Sequence, residues 1–121
     1  MKNKQIGDKG EEIAAEFLSG LGFDILERNW RFGHKEIDLI ARKDQLILFV
    51  EVKMRQDNRY GHPEEFVDAR KQARLITAAT AWLAETGHDQ EIRFDIIAIH
   101  SNQGMDANVL HIPDAFFPFH T

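Results

Sequence analysis

The sequence predicts an α/β domain in which one mixed sheet is flanked by helices, and three observations carry that reading. Ile13, Ala14, Phe17, Leu18 and Leu21 recur at helical spacing, and a second, longer helical pattern opens at Pro63 and stops at Gly87. Between the two lie three β-favouring runs rich in Ile, Leu, Val and Phe, separated by short polar breaks. After the second helix comes EIRFDIIAIH at 91–100, a near-continuous apolar run of the kind that forms an interior strand. The order helix, three strands, helix, one or two strands predicts an α-β-β-β-α-β core. The first three strands make an antiparallel meander, and the second helix crosses over to set the Phe94 strand beside it.

At 121 residues the chain reads as a single domain, 1–121. The absence of Cys excludes a disulfide framework and thiolate chemistry. No stretch approaches the ~18 apolar residues of a membrane span, and MKNKQIGDKGEE holds no apolar leader, so a cytoplasmic protein without membrane contact is expected. A net charge of −5 argues against a general nucleic-acid binder. Residues 26–74, however, carry eleven Lys and Arg against nine acids, which leaves room for a local basic patch.

In chain order, Asp8 and Glu11 have the spacing of a capping box at the start of the first helix. Glu11 is thus open to two readings, a cap or a carboxylate pointing over the sheet. Residues 23–31 form a strand with a basic, aromatic tip. There Arg28 and Arg31 suit phosphates, and Trp30 either stacks on a base or closes the core edge. Residues 32–35 make the loop into a central hairpin, and the polar residues 56–62 follow that hairpin as a binding loop. In the second helix Pro63 takes the first position, with Glu64 and Glu65 in the first turn. Phe66, Ala69, Ala73, Ile76, Ala79 or Thr80, and Leu83 make its buried stripe. Arg70, Lys71 and Arg74 fall on another side, either solvated or tracking phosphates. Asp95 interrupts the apolar strand and needs a buried partner. Residues 108–112 suit a short final strand, and Phe116, Phe117 and Phe119 either cap the core or make a homodimer contact.

The chemistry concentrates at 36–55, EIDLIARKDQLILFVEVKMR. A two-residue turn at Asp44 and Gln45 sets Lys43 opposite Leu46, Arg42 opposite Ile47 and Ile40 opposite Phe49. Continued, the same register sets Asp38 opposite Glu51 and Glu36 opposite Lys53, all on one face. Ile37, Leu39, Ala41, Leu46, Leu48, Val50 and Val52 fill the other, apolar face. Two facing carboxylates, with Cβ atoms about 4.5–5.5 Å apart, repel unless one is protonated or a divalent cation lies between them. Hard oxygen ligands point to Mg²⁺ or Mn²⁺, and Lys53 on the same face can reach a phosphate oxygen or a water. Asp38, Glu51, Lys53 and a cation together suit phosphodiester hydrolysis. Arg55, one pleat further out, is placed to hold a neighbouring backbone phosphate. Cross-strand ion pairs on a solvated face are the other reading of these charges.

Asp38 with Glu51-Val52-Lys53 resembles the PD-(D/E)XK nuclease superfamily, with Ile37 in place of the Pro before the Asp. Over residues 7–100 the chain looks like the YraN family of small bacterial endonuclease-like proteins. Gly7, Gly10, Glu11, Ala14, Phe17 and Leu18 resemble its opening, and Glu36 to Ile40 its central strand. Phe49 to Lys53 with Arg55 match the next strand, Tyr60, Gly61, Pro63 and Lys71 the following loop and helix, and Arg93-Phe94-Asp95 the last strand. Lys35 stands where that family usually has Gly. The resemblance implies a restriction-endonuclease-like fold shared with Holliday-junction resolvases, and a magnesium-type site. Asp38 and Glu51 would bind the metal, Lys53 would orient the attacking water, and Glu11 would assist from the helix. The expected function is divalent-metal-dependent cleavage of DNA, possible substrates being branched or damaged forms. The alternatives are a non-catalytic module that binds nucleic acid or protein, and hydrolysis of a smaller phosphodiester or nucleotide.

Overall fold

The computed structural model describes residues 2–55, 67–100 and 108–116; the side chains of residues 2–8 and of Arg55 are outside that description. The order is α1 (Lys2–Gly20), β1 (Asp24–Phe32), β2 (Lys35–Lys43), β3 (Leu46–Arg55), α2 (Ala69–Thr86), β4 (Glu91–His100) and β5 (Asn108–Phe116). The five strands lie side by side in sequence order. β1, β2 and β3 form the expected antiparallel meander, β3 and β4 run parallel across the α2 crossover, and β5 pairs antiparallel with β4. The fold is therefore the expected mixed α/β sheet with helices packed on it. β5 is longer than the 108–112 strand expected, and it keeps Pro113 because an edge strand leaves one side of its backbone unpaired.

Both sheet faces are covered, which is why the central strands are nearly continuous apolar runs. On one face Ala14, Ala15 and Leu18 of α1 pack with Leu39, Ala41, Leu48, Val50, Ile97 and Ile99. On the other, Leu75, Ala78, Ala79 and Trp82 of α2 pack with Ile40, Ile47, Phe49, Phe94 and Ile96. Each of the larger side chains, buried to this degree, contributes about 1.5–3 kcal/mol. Phe49 ties the second layer together, edge-on to Trp82 at 5.7 Å and stacked on Phe94 at 5.3 Å. Phe116 stacks on Phe94 at 4.9 Å, so it caps the core; Phe117 and Phe119 lie outside the described residues.

Three helix boundaries or faces differ from expectation. α1 is already helical from Lys2, which puts Asp8 inside the helix and removes the capping-box reading of Glu11. Its other end is a Schellman motif: Phe23 N–H donates to Leu18 O and Gly22 N–H to Ser19 O, with Gly22 left-handed at φ 94°. α2 begins after Asp68, whose side chain accepts from the Lys71 backbone N–H at 2.9 Å, so the described helix does not start at Pro63. Pro63 to Phe66 lie outside the described residues. Its buried stripe is Leu75, Ala78, Ala79 and Trp82, with Ile76 and Leu83 at the margin, while Ala69 and Ala73 face out. The stripe is rotated because Trp82 and Leu75 bury far more apolar surface than two alanines do.

Candidate active site

The site forms where β2 leaves β3. The turn expected at Asp44 and Gln45 is present, and Asp44 adopts φ 54°, a left-handed value that a short Asp side chain tolerates. From it the strands pair as read, Lys43 with Leu46, Arg42 with Ile47 and Ile40 with Phe49, as far as Leu39 with Val50. The pairing ends there, so the continuation to Asp38 opposite Glu51 and Glu36 opposite Lys53 is not what the strands do. The Val52 N–H donates instead to Asp38 Oδ2 at 2.8 Å, so the Asp38 side chain enters the gap between the strands and supplies their next hydrogen bond. Glu36 turns the other way, towards β1, where its carboxylate is 4.0 Å from Arg31.

The cause of this fork lies partly in β1. Asn29 adopts φ 51°, and it sits opposite Asp38, between the paired residues Arg28–Leu39 and Trp30–Ile37. Strict alternation would place Ile37 on the same face as Leu39. Ile37 packs instead with Ile40 and Phe49 under α2, and Trp30 packs against that same cluster. Arg28, two residues before Trp30, reaches the α1 side to pair with Glu12. Both strands thus change faces at Asn29 and Asp38, which corrects the expected place of Ile37 and gives Trp30 its core-edge role.

Glu51 is buried, its side chain 5% exposed, on the α2 side of β3. Two ammonium groups converge on its Oε1: Lys71 Nζ from the first turn of α2 at 2.7 Å, and Lys53 Nζ from its own strand at 3.6 Å. Asp38 is half-buried, and its carboxyl is pushed up to about 8. Burial is the main cause, and the nearby Glu51 carboxylate adds to it; the Val52 N–H pulls the other way, and Glu11 and Glu36 add smaller repulsions. The Glu11 carboxylate is close enough to add to the repulsion at Asp38. Burial lowers the pKa of Lys53 and the adjoining Lys71 lowers it further, against the pull of Glu51. Lys71 moves up, because its contacts with Glu51 outweigh the effect of burial.

Among the expected phosphate-binding residues, Arg28 donates to Glu12 at 2.7 Å, and Arg31 is exposed, with 74% of its side chain open to solvent. Lys71 belongs to the carboxylate cluster itself, which a linear reading missed because nothing local in the helix signals an acid twenty residues upstream. The Arg55 side chain and the loop at 56–62 lie outside the described residues. Asp95 has the partners it needs: Arg93 donates twice, at 2.8 and 2.9 Å, His111 Nε2 lies 2.7 Å away, and the Asp114 N–H donates at 3.0 Å. This cluster clips β5 to β4 and does not join the Glu51 site.

The sequence model of the family described as "Uncharacterised protein family UPF0102" matches residues 10–99, which include every carboxylate and lysine of this cluster. The chain belongs to that family. A UPF0102 protein of Rhodococcus jostii is 41% identical over 115 residues, covering 94% of this chain and 98% of the relative. One from Geotalea daltonii is 45% identical over 115 residues, covering 94% and 91%, and one from Chlorobium chlorochromatii is 42% identical over 118, covering 93% and 92%. The YraN family expected from the motifs is this UPF0102 family. No helix among the described residues of this UPF0102 chain is long and apolar enough to cross a membrane.

Among the described residues no group of three or more His, Cys, Asp or Glu side chains could hold a metal on its own. Two oxygen-ligand carboxylates without a protein cage suit Mg²⁺ or Mn²⁺, which keep several waters and take further ligands from a substrate phosphate. The residues present are compatible with such an ion, and Asp38 and Glu51 are the side chains that would hold it.

Proposed function

We propose that this protein is a divalent-metal-dependent endonuclease that hydrolyses phosphodiester bonds in DNA, acting in the cytoplasm and gripping its substrate through a local basic patch. The observation that supports this reading is the convergence of Asp38, Glu51, Lys53 and Lys71 at the fork between β2 and β3. A fold needs no such arrangement. A half-buried acid beside a buried one opposes stability, and it is retained where the repulsion is useful. Asp38 and Glu51 would hold Mg²⁺ or Mn²⁺, which when bound supplies Lewis-acid activation of a phosphoryl oxygen and a water. Lys53 presents its ammonium to the negative charge that develops on the phosphate, in a partly shielded setting where that contact is strong. Glu11 adds negative field at Asp38 and favours a cation there. The exposed Arg31 supplies a positive charge beside β2 for the backbone of the substrate.

The deciding experiment is incubation of the protein with single-stranded, duplex, flap and four-way DNA in Mg²⁺ or Mn²⁺. Cleavage of at least one substrate that disappears with chelator is expected. Binding without cleavage of any would favour a non-catalytic module on the same fold, a reading that the net charge of −5 also suits.

Cation binding has its own signature. The unfolded chain lacks the paired site, so Mn²⁺ is expected to raise the melting temperature of the wild type and not that of Asp38→Ala. An equal rise in both proteins would place the ion elsewhere. Without metal, Asp38→Asn is expected to be more stable than the wild type above pH 8. The raised carboxyl of Asp38 makes its full contribution only below the unfolded value of about 3.9. Between there and about 8 the folded state binds more protons, so stability falls as pH rises across that window and the loss is complete above it. Urea midpoints of the two proteins at pH 9 check this.

A further inference from the structure

We propose that Lys71 is an exchangeable counter-ion, which holds the Glu51 carboxylate until a divalent cation takes its place and then carries its ammonium to the substrate phosphate beside Lys53. This rests on the cation site proposed above.

A buried carboxylate needs a compensating positive group at all times. At 3.6 Å, Lys53 is beyond good hydrogen-bond distance, so in the metal-free protein the 2.7 Å contact from Lys71 meets that need. The position of Lys71 makes little sense as helix design. A lysine in the first turn opposes the helix dipole, a cost that the N-cap carboxylate of Asp68 only partly offsets. The contact with Glu51 gives the cation at that place its partner.

A divalent ion arriving at Glu51 would meet two ammonium groups around one shielded carboxylate, and the like charges repel. Both lysines reach solvent, Lys53 with 32% of its side chain exposed, but Lys71 comes from α2 and not from the strand that carries Glu51. The Lys71 side chain is 37% exposed, whereas Asp68 fixes its backbone N–H at 2.9 Å. The exchange therefore needs only side-chain rotation and leaves α2 in place. An ammonium released at that point is adjacent to Lys53, and two lysines then face the phosphate of the strand being cut.

The test titrates metal-free wild type, Lys71→Gln and Lys71→Arg with Mn²⁺ by calorimetry. Lys71→Gln is expected to bind Mn²⁺ roughly threefold or more tightly than the wild type, because no ammonium has to be displaced. Its melting temperature without metal is expected to be lower. Lys71→Arg, which can hold a carboxylate through two hydrogen bonds, is expected to bind Mn²⁺ more weakly than the wild type. A merely structural lysine predicts the reverse for Lys71→Gln, since a loosened site binds metal less well; equal or weaker binding overturns the exchange. Should Lys71→Gln not fold, tighter binding by Lys71→Arg does so. A wild type that takes up no Mn²⁺ overturns the cation site itself, and the exchange with it. In a second arm, Ca²⁺ is expected to raise the affinity of the wild type for a fluorescein-labelled single-stranded oligonucleotide more than that of Lys71→Gln. Equal gains would overturn the phosphate contact.

Discussion

Lys53→Ala is expected to lower the rate of DNA cleavage by at least about 100- to 1,000-fold, the usual effect of removing a single preorganised donor to developing charge. DNA affinity should stay within a few fold. The split follows from position. Lys53 lies 3.6 Å from Glu51 and is half-buried, so under the proposed function it faces the reacting centre and offers little to the flanking backbone. Arg31, far more exposed, is better placed to govern affinity. Single-turnover cleavage and fluorescence anisotropy with the same oligonucleotide separate the two quantities. Cleavage that continues undiminished in the alanine variant would remove this lysine from the mechanism. Lys53→Arg should not rescue it, because the broad guanidinium fork does not reproduce a compact ammonium beside a buried carboxylate.

Asp95→Ala is expected to cost about 3 kcal/mol of folding stability, at the lower end of what breaking a buried ion pair costs. The lower end applies because Arg93, with 27% of its side chain exposed, can still reach water, whereas His111 is more enclosed. The loss should appear as a lower urea midpoint with cleavage chemistry unaffected in the folded fraction. An unchanged midpoint would mean that the cluster contributes nothing net. The same group sets an acid limit. Burial tends to raise the Asp95 carboxyl, but hydrogen bonds from Arg93, the Asp114 N–H and His111 outweigh it and hold it below the ordinary value. In the unfolded chain an Asp titrates near about 3.9. Between that value and the lower folded one the unfolded state binds more protons, so stability falls as pH falls through this window and is complete above it. Asp95→Asn should lose part of that slope.

Much of the architecture was legible because it depends on short-range pattern. The alternation from Leu39 to Val50, the turn at Asp44 and the apolar run around Phe94 each specify an element locally. The carboxylates and Lys53 were legible for the same reason: charges in a strand interior break the pattern. What escaped depends on tertiary contact. Lys71 looked like one basic residue among three on a helix, and only the docking of α2 brings it to Glu51. The register past Leu39 is not legible from alternation, because two facing residues, Asn29 and Asp38, both leave it. The start of α1 is not legible locally, because Asp8 and Glu11 have a cap spacing that the helix, continuous from Lys2, does not use.

The backbone of Asn29 has a consequence for how this sequence can vary. A left-handed residue in mid-strand costs about 1–2 kcal/mol for most side chains, less for Asn, and almost nothing for Gly. In a saturation library at position 29, Gly, Asn and Asp should survive selection for folding, and Val and Ile should be depleted. The β-branched residues, favoured at every ordinary strand position, would press β1 back into regular alternation. Trp30 would then swing towards α1 and Ile37 would lose its neighbour, so Asp38 would no longer be driven into the gap beside Val52. One permissive dihedral on an edge strand thus sets the aim of a carboxylate on the next strand, and a residue with no chemistry of its own becomes a point at which the site can be lost.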